Sequence, residues 1–449
     1  MKYYIIAGEA SGDLHGSNLM KGIYAEDPQA DIRFWGGDLM EAVWYSFQNN
    51  LSHDTVAARD KSPLDSLPNA DDPCGHGGSK ALKTTPDLTA EMGSDGVAEG
   101  IILESSPYTQ NKGLVRHYKE GAVMGFVEVL AKAGKLLKNV KFCKEDILAW
   151  NPDVVILIDY PGFNFKIAEF AHKAGFKVFY YIAPKVWASR EGRIRKLKAY
   201  VDKLFIVFPF EKAYFDSKGI EYIYKGNPLV DAVDGSVAMS QSCNEFMTEN
   251  GLEDGPFIAM LAGSRKGEIS TMMPVLTEFA AKMHALPQYK DHKFIIAGAP
   301  SRTMEDYQKW LTQENSSYVK ILFGKTQSII RHAEAAVVNS GTASLETALF
   351  GTPQVVGYIT NPITYWIAKK IIKIRYISLG NLIVDRLAFK EFIQDDCNAD
   401  ALVTEIRDLI ENQERRTAML DEYDEIRSLL GGSGASAAVA KAIISELKQ

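Results

Sequence analysis

One short segment decides the fold of this 449-residue chain, and it reads NPDVVILIDYPGFN from Asn151 to Asn164. Its five consecutive apolar residues, 154–158, fit a strand that is buried on both faces. Such strands are typical of parallel sheets that are covered by helices on each side. The segment therefore predicts an α/β fold and places Asp159 at the carboxyl end of a buried strand.

The same alternation of short apolar runs and amphipathic stretches continues on both sides of this segment, as in a doubly wound α/β sheet. A polar stretch at residues 234–242 separates the runs into two sets. We predict strands at residues 3–7, 32–35, 154–158, 178–182, 204–207 and 222–224, and then at 257–261, 294–297, 335–338 and 354–356.

These two sets predict two Rossmann-like domains, at residues 1–232 and 233–400, followed by C-terminal helices at residues 401–449. Two such domains that face each other leave a cleft at the carboxyl ends of their strands. Ligands of open parallel sheets bind at those ends.

Residues 44–111 differ from the rest of the chain in composition. Pro, Gly and Ser make up 19 of these 68 residues, and no apolar periodicity is sustained. Ten acids against four bases place nearly all of the chain's net charge of −7 in this segment. We predict a long inserted loop or disordered segment, because such a composition offers little apolar surface to offset the entropy of ordering.

Composition excludes several classes of protein. With 50 basic and 57 acidic residues, the chain has no global positive charge that would hold a nucleic acid. No apolar run approaches the roughly 20 residues of a membrane-spanning helix, and the first residues do not resemble a signal peptide. The four cysteines show no Cys-x-x-Cys pairing, which favours passive free thiols over a zinc site. These features predict a cytoplasmic protein that uses no metal or other cofactor.

A turn with the sequence GEASGD, at residues 8–13, directly follows the first predicted strand. It lacks the G-x-G-x-x-G pattern of a dinucleotide site, and its two acids would repel a pyrophosphate. Carboxylates accept strong hydrogen bonds from sugar hydroxyls, so Glu9 and Asp13 are predicted to contact a sugar. For Asp13, capping of the helix that follows is the alternative.

Two further turns, at residues 261–265 and 339–346, suit a phosphate and a nucleotide. The guanidinium of Arg265 offers a fork of donors to a phosphate, and a helix that opens near Ser340 presents free amides. Glu346, about one turn later, suits ribose hydroxyls. The alternatives are a solvated surface arginine and an ordinary helix N-cap. The predicted donor-binding residues are Gly263, Ser264, Arg265, Asn339, Ser340, Gly341, Thr342 and Glu346.

Asp159 is a catalytic candidate because it is a lone carboxylate at the carboxyl end of a buried strand. Its alternative role is to stabilise the Tyr-Pro-Gly turn that follows it. Together with Glu9 and Asp13 it forms the predicted catalytic set.

Taken in order, these motifs resemble those of the lipid-A-disaccharide synthases. The resemblance rests on residues 8–13, 152–164, 183–187 (APKVW), 204–211 with their FPFE ending, 263–265, 339–346 and 378–382 (SLGNL). It covers nearly the whole chain outside residues 44–111. What it implies is a two-domain GT-B glycosyltransferase without a metal site, whose N-terminal domain holds the acceptor and whose C-terminal domain holds the nucleotide-sugar donor.

The resemblance also implies the reaction. UDP-2,3-diacylglucosamine would donate its sugar to the 6-hydroxyl of 2,3-diacylglucosamine 1-phosphate, with inversion to a β bond and release of UDP. Such a transfer needs a base for the acceptor hydroxyl and positive groups around the departing UDP. Arg265 and the helix that opens at Ser340 would supply the positive groups.

The chain departs from the family pattern at three places. Many members carry Asp-x-Pro-Asp-Phe where this chain has Asp159-Tyr-Pro-Gly162-Phe, so an acid at the later position cannot be the base here. Ser378-Leu-Gly-Asn381 stands in place of Ser-Leu-Pro-Asn, a change expected to loosen one turn. The insert is the third departure, and the family pattern resumes beyond it at Leu114.

Two basic stretches suit an anionic lipid surface, from which acylated substrates would be drawn. They lie at residues 185–198 and at residues 366–375, which read WIAKKIIKIR. The alternative for each is a solvated helix face over a core. We predict peripheral association with the inner membrane through Trp366, Lys369, Lys370, Lys373 and Arg375.

Two other functions stay open at the level of sequence. One is a UDP-sugar epimerase on the same two-domain fold, which would have no use for the basic faces. The other is a nucleotide-sugar-binding relative that has lost catalysis. The sequence leaves open the acyl chain lengths and the oligomeric state, including a homodimer.

Overall fold

In the computed structural model, the described residues are 1–59, 113–121, 128–188, 191–253, 255–361, 365 and 375–449. The chain divides into one unit made of residues 1–47 and 113–449 and another made of residues 48–112. Both sheets of the protein lie in the first unit. Of the second unit, the structure describes only the helical residues up to Arg59.

The first sheet consists, within the described residues, of seven parallel strands in the order β3-β2-β1-β4-β5-β6-β7. Its order reverses between β1 and β4, and open α/β sheets bind ligands at such switch points. The strands are β1 (Lys2–Ala7), β2 (Asp31–Gly36), β3 (Leu114–His117), β4 (Val154–Ile158), β5 (Lys177–Tyr181), β6 (Lys203–Ile206) and β7 (Ile223–Tyr224).

Both faces of this sheet are covered. Tyr3 and Ile5 of β1 belong to one hydrophobic core, whereas Tyr4 and Ile6 belong to another, as expected from the alternation of side chains along a strand. The helices of this half are α1 (Ala10–Glu26), α2 (Asp38–Arg59), α3 (Glu128–Trp150), α4 (Pro161–Lys173), α5 (Ile194–Tyr200), α6 (Pro209–Ser217) and α7 (Pro228–Asp234).

The second sheet repeats the arrangement, with six parallel strands among the described residues in the order β10-β9-β8-β11-β12-β13. Its switch point lies between β8 and β11. The strands are β8 (Phe257–Leu261), β9 (Lys293–Gly298), β10 (Val319–Phe323), β11 (Ala335–Asn339), β12 (Gln354–Tyr358) and β13 (Glu391–Ile393). The helices are α8 (Cys243–Glu249), α9 (Lys266–His284), α10 (Met304–Gln308), α11 (Thr326–His332), α12 (Thr342–Leu349), α13 (Leu379–Val384), α14 (Ala399–Glu411), α15 (Gln413–Leu430) and α16 (Ala435–Leu447).

The predicted α/β class with two Rossmann-like halves is confirmed, and every predicted strand overlaps an observed one. The strands that sequence reasoning missed are β3, β10 and β13. All three lie at the edges of their sheets, and their residues are mostly half-buried. Edge strands carry mixed polar and apolar residues, so the apolar runs that reveal central strands are missing from them.

The C-terminal helices do not form a separate layer. Helix α14 packs against α9, α15 packs against α12 and α13, and α16 crosses back to pack against α1 of the first half. At this return, Asp231 of α7 accepts hydrogen bonds from the backbone N–H groups of Ala435 (3.2 Å) and Ser436 (2.7 Å). The predicted boundaries at residues 232 and 400 treat residues 401–449 as a separate C-terminal segment, and so they do not account for the packing of α16 against the first half.

Helix α2 corrects the predicted insert at its start. Residues 44–59 are helical and not a loop. Trp44 and Phe47 pack against the core, and the Phe47 ring stacks on Tyr24 with their ring centroids 3.7 Å apart. Composition hid this helix because polar residues on its outer face outnumber the few apolar residues that face inward. The rest of the predicted insert, residues 60–111, lies outside the described residues.

We expect a deletion of residues 48–112 to leave the melting temperature and the activity implied by the resemblance close to those of the intact chain. Gly113 lies directly against the Trp44 indole, so a short Gly/Ser linker from Phe47 to Gly113 closes the gap at small entropic cost. A longer deletion, of residues 44–112, serves as control. It also removes two packed aromatic rings and should cost about 3 kcal/mol of stability. A folded but inactive 48–112 deletion would show that the insert contributes to function.

Candidate active site

Two of the predicted site residues, Asp159 and Thr342, line one cleft between the two halves. The acids follow β1 and β4 and the nucleotide turns follow β8 and β11, so each pair brackets the switch point of its sheet. Asp159 and Lys185 line the cleft from the first sheet, and Thr342 lines it from the second. The two sheets thus contribute to the same cavity.

The backbone at Asp159 is strained and held in place. Asp159 and Tyr160 both have left-handed conformations, with φ angles of 41° and 44°. Each such residue costs on the order of 1 kcal/mol or more, and the strain persists only where neighbouring groups fix it. Here the Asp159 carbonyl accepts hydrogen bonds from the Tyr180 hydroxyl (2.6 Å) and the Asn164 amide (2.8 Å). Sequence reasoning assigned no role to Tyr180 or to Asn164, although Asn164 ends the segment at residues 151–164.

Five influences set the pKa of Asp159. Burial raises the pKa most and Glu9 adds to the rise, whereas the Lys185 ammonium, a hydrogen bond from the backbone N–H of Tyr160 and the Arg265 guanidinium oppose it. Arg265 belongs to the turn after β8, so the second half acts electrostatically on the carboxylate of the first. A carboxylate with a raised pKa is a stronger proton acceptor, which suits a general base.

Glu9 is the exposed N-cap residue of α1, and its charge adds to the rise in the pKa of Asp159. The turn that carries it needs a glycine at position 8, because a Cβ on Gly8 would lie 2.2 Å from the Tyr160 ring. This close approach joins the turn after β1 to the turn after β4. The predicted contact between Glu9 and a sugar stays a prediction.

Asp13 has a structural role. It is 2% exposed, and its carboxylate accepts hydrogen bonds from the backbone N–H groups of Gly37 (2.7 Å), Leu39 (3.1 Å) and Met40 (3.1 Å). These bonds hold the turn between β2 and α2. The side chain thus caps α2, whereas the predicted alternative was capping of the helix after the turn; Asp13 instead lies within the first turn of α1.

The first phosphate turn is built around Gly263 and Glu268. Gly263 has a φ angle of 99°, and a Cβ there would lie 2.4 Å from the Asn339 amide nitrogen. Glu268 caps α9 by accepting the backbone N–H groups of Ser264 (3.1 Å) and Arg265 (3.2 Å). The same carboxylate pairs with the Arg265 guanidinium at 3.1 Å, and the arginine side chain remains 65% exposed. The turn therefore presents Arg265 on a fixed backbone.

In the second phosphate turn, two predicted residues hold the backbone, one is a helix N-cap and one lines the cleft. The Asn339 amide donates to the carbonyl just after β8 (3.3 Å), and the Ser340 hydroxyl donates to the Ile377 carbonyl (3.2 Å). Gly341 is the N-cap of α12, and Thr342 begins it at the cleft. The first-turn amides of a helix have no acceptor within the helix, so this end of α12 suits a phosphate.

Glu346 lies in α12, partly buried, and its pKa is raised by burial. The Gln327 amide donates to its carboxylate at 2.9 Å, and the Ser236 hydroxyl in turn donates to Gln327 at 2.6 Å. This chain of hydrogen bonds fixes the carboxylate. Its predicted contact with ribose stays a prediction.

The APKVW loop after β5 contains a cleft residue, Lys185, that sequence reasoning counted only as part of a basic stretch. The loop is fixed by Glu211, which is 1% exposed and accepts from the Trp187 indole (3.1 Å) and the backbone N–H groups of Val207 and Phe208 (both 3.0 Å). Burial raises the pKa of Glu211 to about 7. Lys185 and Glu211 both belong to motifs of the family resemblance, at residues 183–187 and 204–211. This resemblance is the only sequence signal for their roles.

The SLGN turn is tightly packed. A Cβ on Gly380 would lie 2.7 Å from the Phe389 ring. The backbone N–H of Ser378 and the amide of Asn381 both donate to Glu391 of β13 at 2.9 Å. The expectation that glycine loosens this turn is wrong, because the aromatic ring fills the space beside it.

Of the predicted membrane-contact residues, Trp366, Lys369, Lys370 and Lys373 lie outside the described residues. Arg375 is exposed, and its guanidinium lies 5.2 Å from the centre of the Tyr376 ring. None of the helices in the described part of the chain has both the length and the apolar character to cross a membrane.

The sequence is similar to that of one enzyme family along most of its length. A family model described as lipid-A-disaccharide synthetase matches residues 102–443. The lipid-A-disaccharide synthase of Geobacter sulfurreducens is 33% identical over 444 residues, which cover 99% of this chain and 96% of that protein. That of Geobacter metallireducens is 31% identical, with the same coverage.

The fold is similar to that of solved UDP-bound proteins. An S. aureus MnaA–UDP co-structure aligns with a TM-score of 0.60 and 14% identity, covering 100% of this chain and 97% of that one. The UDP-GlcNAc 2-epimerase of Methanocaldococcus jannaschii, in complex with UDP-GlcNAc and UDP, aligns with a TM-score of 0.59 and 14% identity, covering 99% and 100%. At these identities the likeness shows a shared fold and no more.

Proposed function

The chain belongs to the lipid-A-disaccharide synthase family, a family of glycosyltransferases of lipid A biosynthesis, and from this premise we propose its substrates and mechanism. The donor is UDP-2,3-diacylglucosamine and the acceptor is 2,3-diacylglucosamine 1-phosphate. The product is the β-linked disaccharide 1-phosphate, formed with inversion, and UDP is released.

One observation carries the proposal. Asp159 of the first half and Thr342 of the second line one cleft, and Arg265 lies in the turn after β8, the strand that pairs in parallel with β11 ahead of Thr342. A transfer reaction needs a proton acceptor and a cation on opposite sides of the reacting carbon, and in this proposal Asp159 and Arg265 supply them. Asp159 follows β4 of the first sheet and Arg265 follows β8 of the second, so neither sheet supplies both groups.

In the proposed mechanism the 6-hydroxyl oxygen of the acceptor attacks the anomeric carbon of the donor from the side opposite UDP. Asp159 takes the hydroxyl proton as the new bond forms, with Glu9 placed nearby. The bond between the anomeric carbon and the phosphate oxygen breaks, and its electron pair leaves with UDP. The Arg265 guanidinium and the amides at the start of α12 stabilise the negative charge on the departing diphosphate.

The two halves divide the substrates between them in this proposal. The first half holds the acceptor sugar near Glu9 and Asp159. The second holds the donor, with its diphosphate between Arg265 and Thr342 and its ribose at Glu346. Ser264 lies exposed beside Arg265 and adds a hydroxyl to the phosphate site.

The test is UDP release from the acylated donor, measured with and without the acylated acceptor. We expect release that requires the acceptor and is accompanied by a disaccharide in mass spectrometry. An epimerase would instead change the donor alone without forming a disaccharide. Binding of UDP without turnover of either substrate would identify a relative that has lost catalysis.

We also propose peripheral membrane association, because acylated substrates reside in a lipid surface. Vesicles that contain anionic lipid should bind the protein weakly and reversibly, and binding should weaken as salt rises. Each lysine or arginine near such a surface contributes about 1 kcal/mol, and salt screens that attraction. Co-sedimentation at low and high salt measures the effect, with neutral vesicles as control. Binding that does not respond to salt, or no binding, would contradict this prediction.

A further inference from the structure

Lys185 is a cation that the proposed mechanism does not use. Its side chain is exposed and lines the cleft together with Asp159 on its own side and Thr342 on the other. Among the described residues it has no ion-pair partner within 4.0 Å. The lysine is therefore available to a ligand in the cleft.

The backbone that carries Lys185 is fixed on two sides by α6. Glu211 accepts a hydrogen bond from the Trp187 indole at 3.1 Å, and the Tyr214 hydroxyl donates to the Val186 carbonyl at 3.3 Å. Val186 itself is buried at 2% exposure. A flexible lysine on a fixed loop can reach a ligand without any rearrangement of the backbone.

The charge balance of the cleft needs this lysine when a phosphate is bound. Within the described part of the chain, the ionisable residues that line the cleft are Asp159, Lys185 and His15. Burial lowers the pKa of His15 to about 4, so the imidazole is neutral near pH 7. Lys185 is then the single cation among these lining residues, on the same side of the cleft as the Asp159 carboxylate, because Arg265 in the turn after β8 does not belong to the lining. A phosphate in this cleft would be repelled by Asp159 unless a cation offset that charge.

We propose that Lys185 binds a phosphate group of a substrate held in the cleft. The proposal rests on the proposed function, since both of its substrates carry phosphate: a diphosphate on the donor and a 1-phosphate on the acceptor. A lysine ammonium is a point charge that binds phosphate from many directions, whereas the guanidinium of Arg265 binds it as a fork. Lys185 follows a strand of the first sheet and Arg265 follows a strand of the second, so in this proposal the two cations serve different phosphates or different faces of one phosphate.

Equilibrium titrations of Lys185→Ala and of the wild-type protein test this proposal without any turnover. The probes are UDP against uridine, and glucosamine 1-phosphate against glucosamine. Loss of one charged hydrogen bond should weaken the phosphate-bearing probe about 10- to 100-fold. The phosphate-free partner of each pair should bind as before. Lys185→Arg should restore most of the affinity.

Lys290→Ala is the matched control, because Lys290 is an exposed lysine just ahead of the amino end of β9, whereas the cleft lies at the carboxyl ends of the strands. A selective loss of UDP affinity assigns Lys185 to the donor diphosphate, and a selective loss of glucosamine 1-phosphate affinity assigns it to the acceptor. Unchanged affinity for both phosphates overturns the proposal. An equal loss of affinity for uridine or glucosamine, which carry no phosphate, also overturns the proposal. Such a loss would mean that the substitution changes the structure of the cleft and does not remove a phosphate contact. A wild-type protein that binds UDP yet transfers no sugar would refute the proposed function and leave these titrations readable.

Discussion

Asp159→Asn is expected to lower the rate of transfer by about 10²- to 10⁴-fold while UDP binds as it does to the wild-type protein. The amide keeps the shape of the carboxylate and its capacity to accept a hydrogen bond, but it cannot take the proton of the acceptor hydroxyl. The strained backbone should survive, because Tyr180 and Asn164 hold the carbonyl of residue 159 and not its side chain. Steady-state kinetics and UDP titration together measure the effect.

The pH profile gives an independent readout. A base must be ionised to act, and burial raises the pKa of Asp159 above its ordinary value. The acidic limb of kcat/KM should therefore lie at a higher pH than for an exposed aspartate, and Asp159→Asn should remove it. Glu9→Gln is the competing variant: if it abolishes the acidic limb and Asp159→Asn does not, Glu9 is the base. An equal loss of UDP affinity in Asp159→Asn would mark Asp159 as structural.

Arg265→Ala should reduce transfer about 100-fold or more without loss of folding. The departing diphosphate loses a charge-assisted donor, which a preorganised site cannot replace with water. The fold should tolerate the change because the side chain is 65% exposed and Glu268 still caps α9 through two backbone N–H groups. Turnover and the melting temperature are the two measurements.

Arg407→Ala is a matched control for this variant. Arg407 is partly exposed, with 38% of its side chain accessible, and pairs with a glutamate of its own helix, Glu411, at 3.0 Å, but it lies in α14. We expect its turnover to equal that of the wild-type protein, since exposed pairs of this kind contribute little. Near-normal turnover in Arg265→Ala would remove Arg265 from the phosphate role.

Much of this molecule could be predicted from the sequence, because the informative signals are local. A central strand such as Val154–Ile158 is apolar along its whole length, since both of its faces are buried. The residue that ends such a strand must lie at the carboxyl edge of the sheet, so Asp159 and Arg265 could be assigned to a cleft without a structure. The same holds for Thr342, which opens the helix after β11.

Other features depended on contacts between distant parts of the chain. The role of Asp13 was decided by Gly37 and its neighbours, which supply the backbone donors that its carboxylate caps. Helix α2 is held by the packing of Phe47 on Tyr24, whereas its local composition favours a loop.

The α/β class, the central strands and the residues at the two switch points follow from local sequence alone. The edge strands, the return of α16 to the first half and the meeting of Lys185, Asp159 and Thr342 in one cleft depend on how distant elements pack. Hydrophobic periodicity shows which residues are buried along one element. It does not show which distant element covers those residues. Nor does it show which groups surround a charged side chain in a cleft, and those groups set its pKa and its possible ligands.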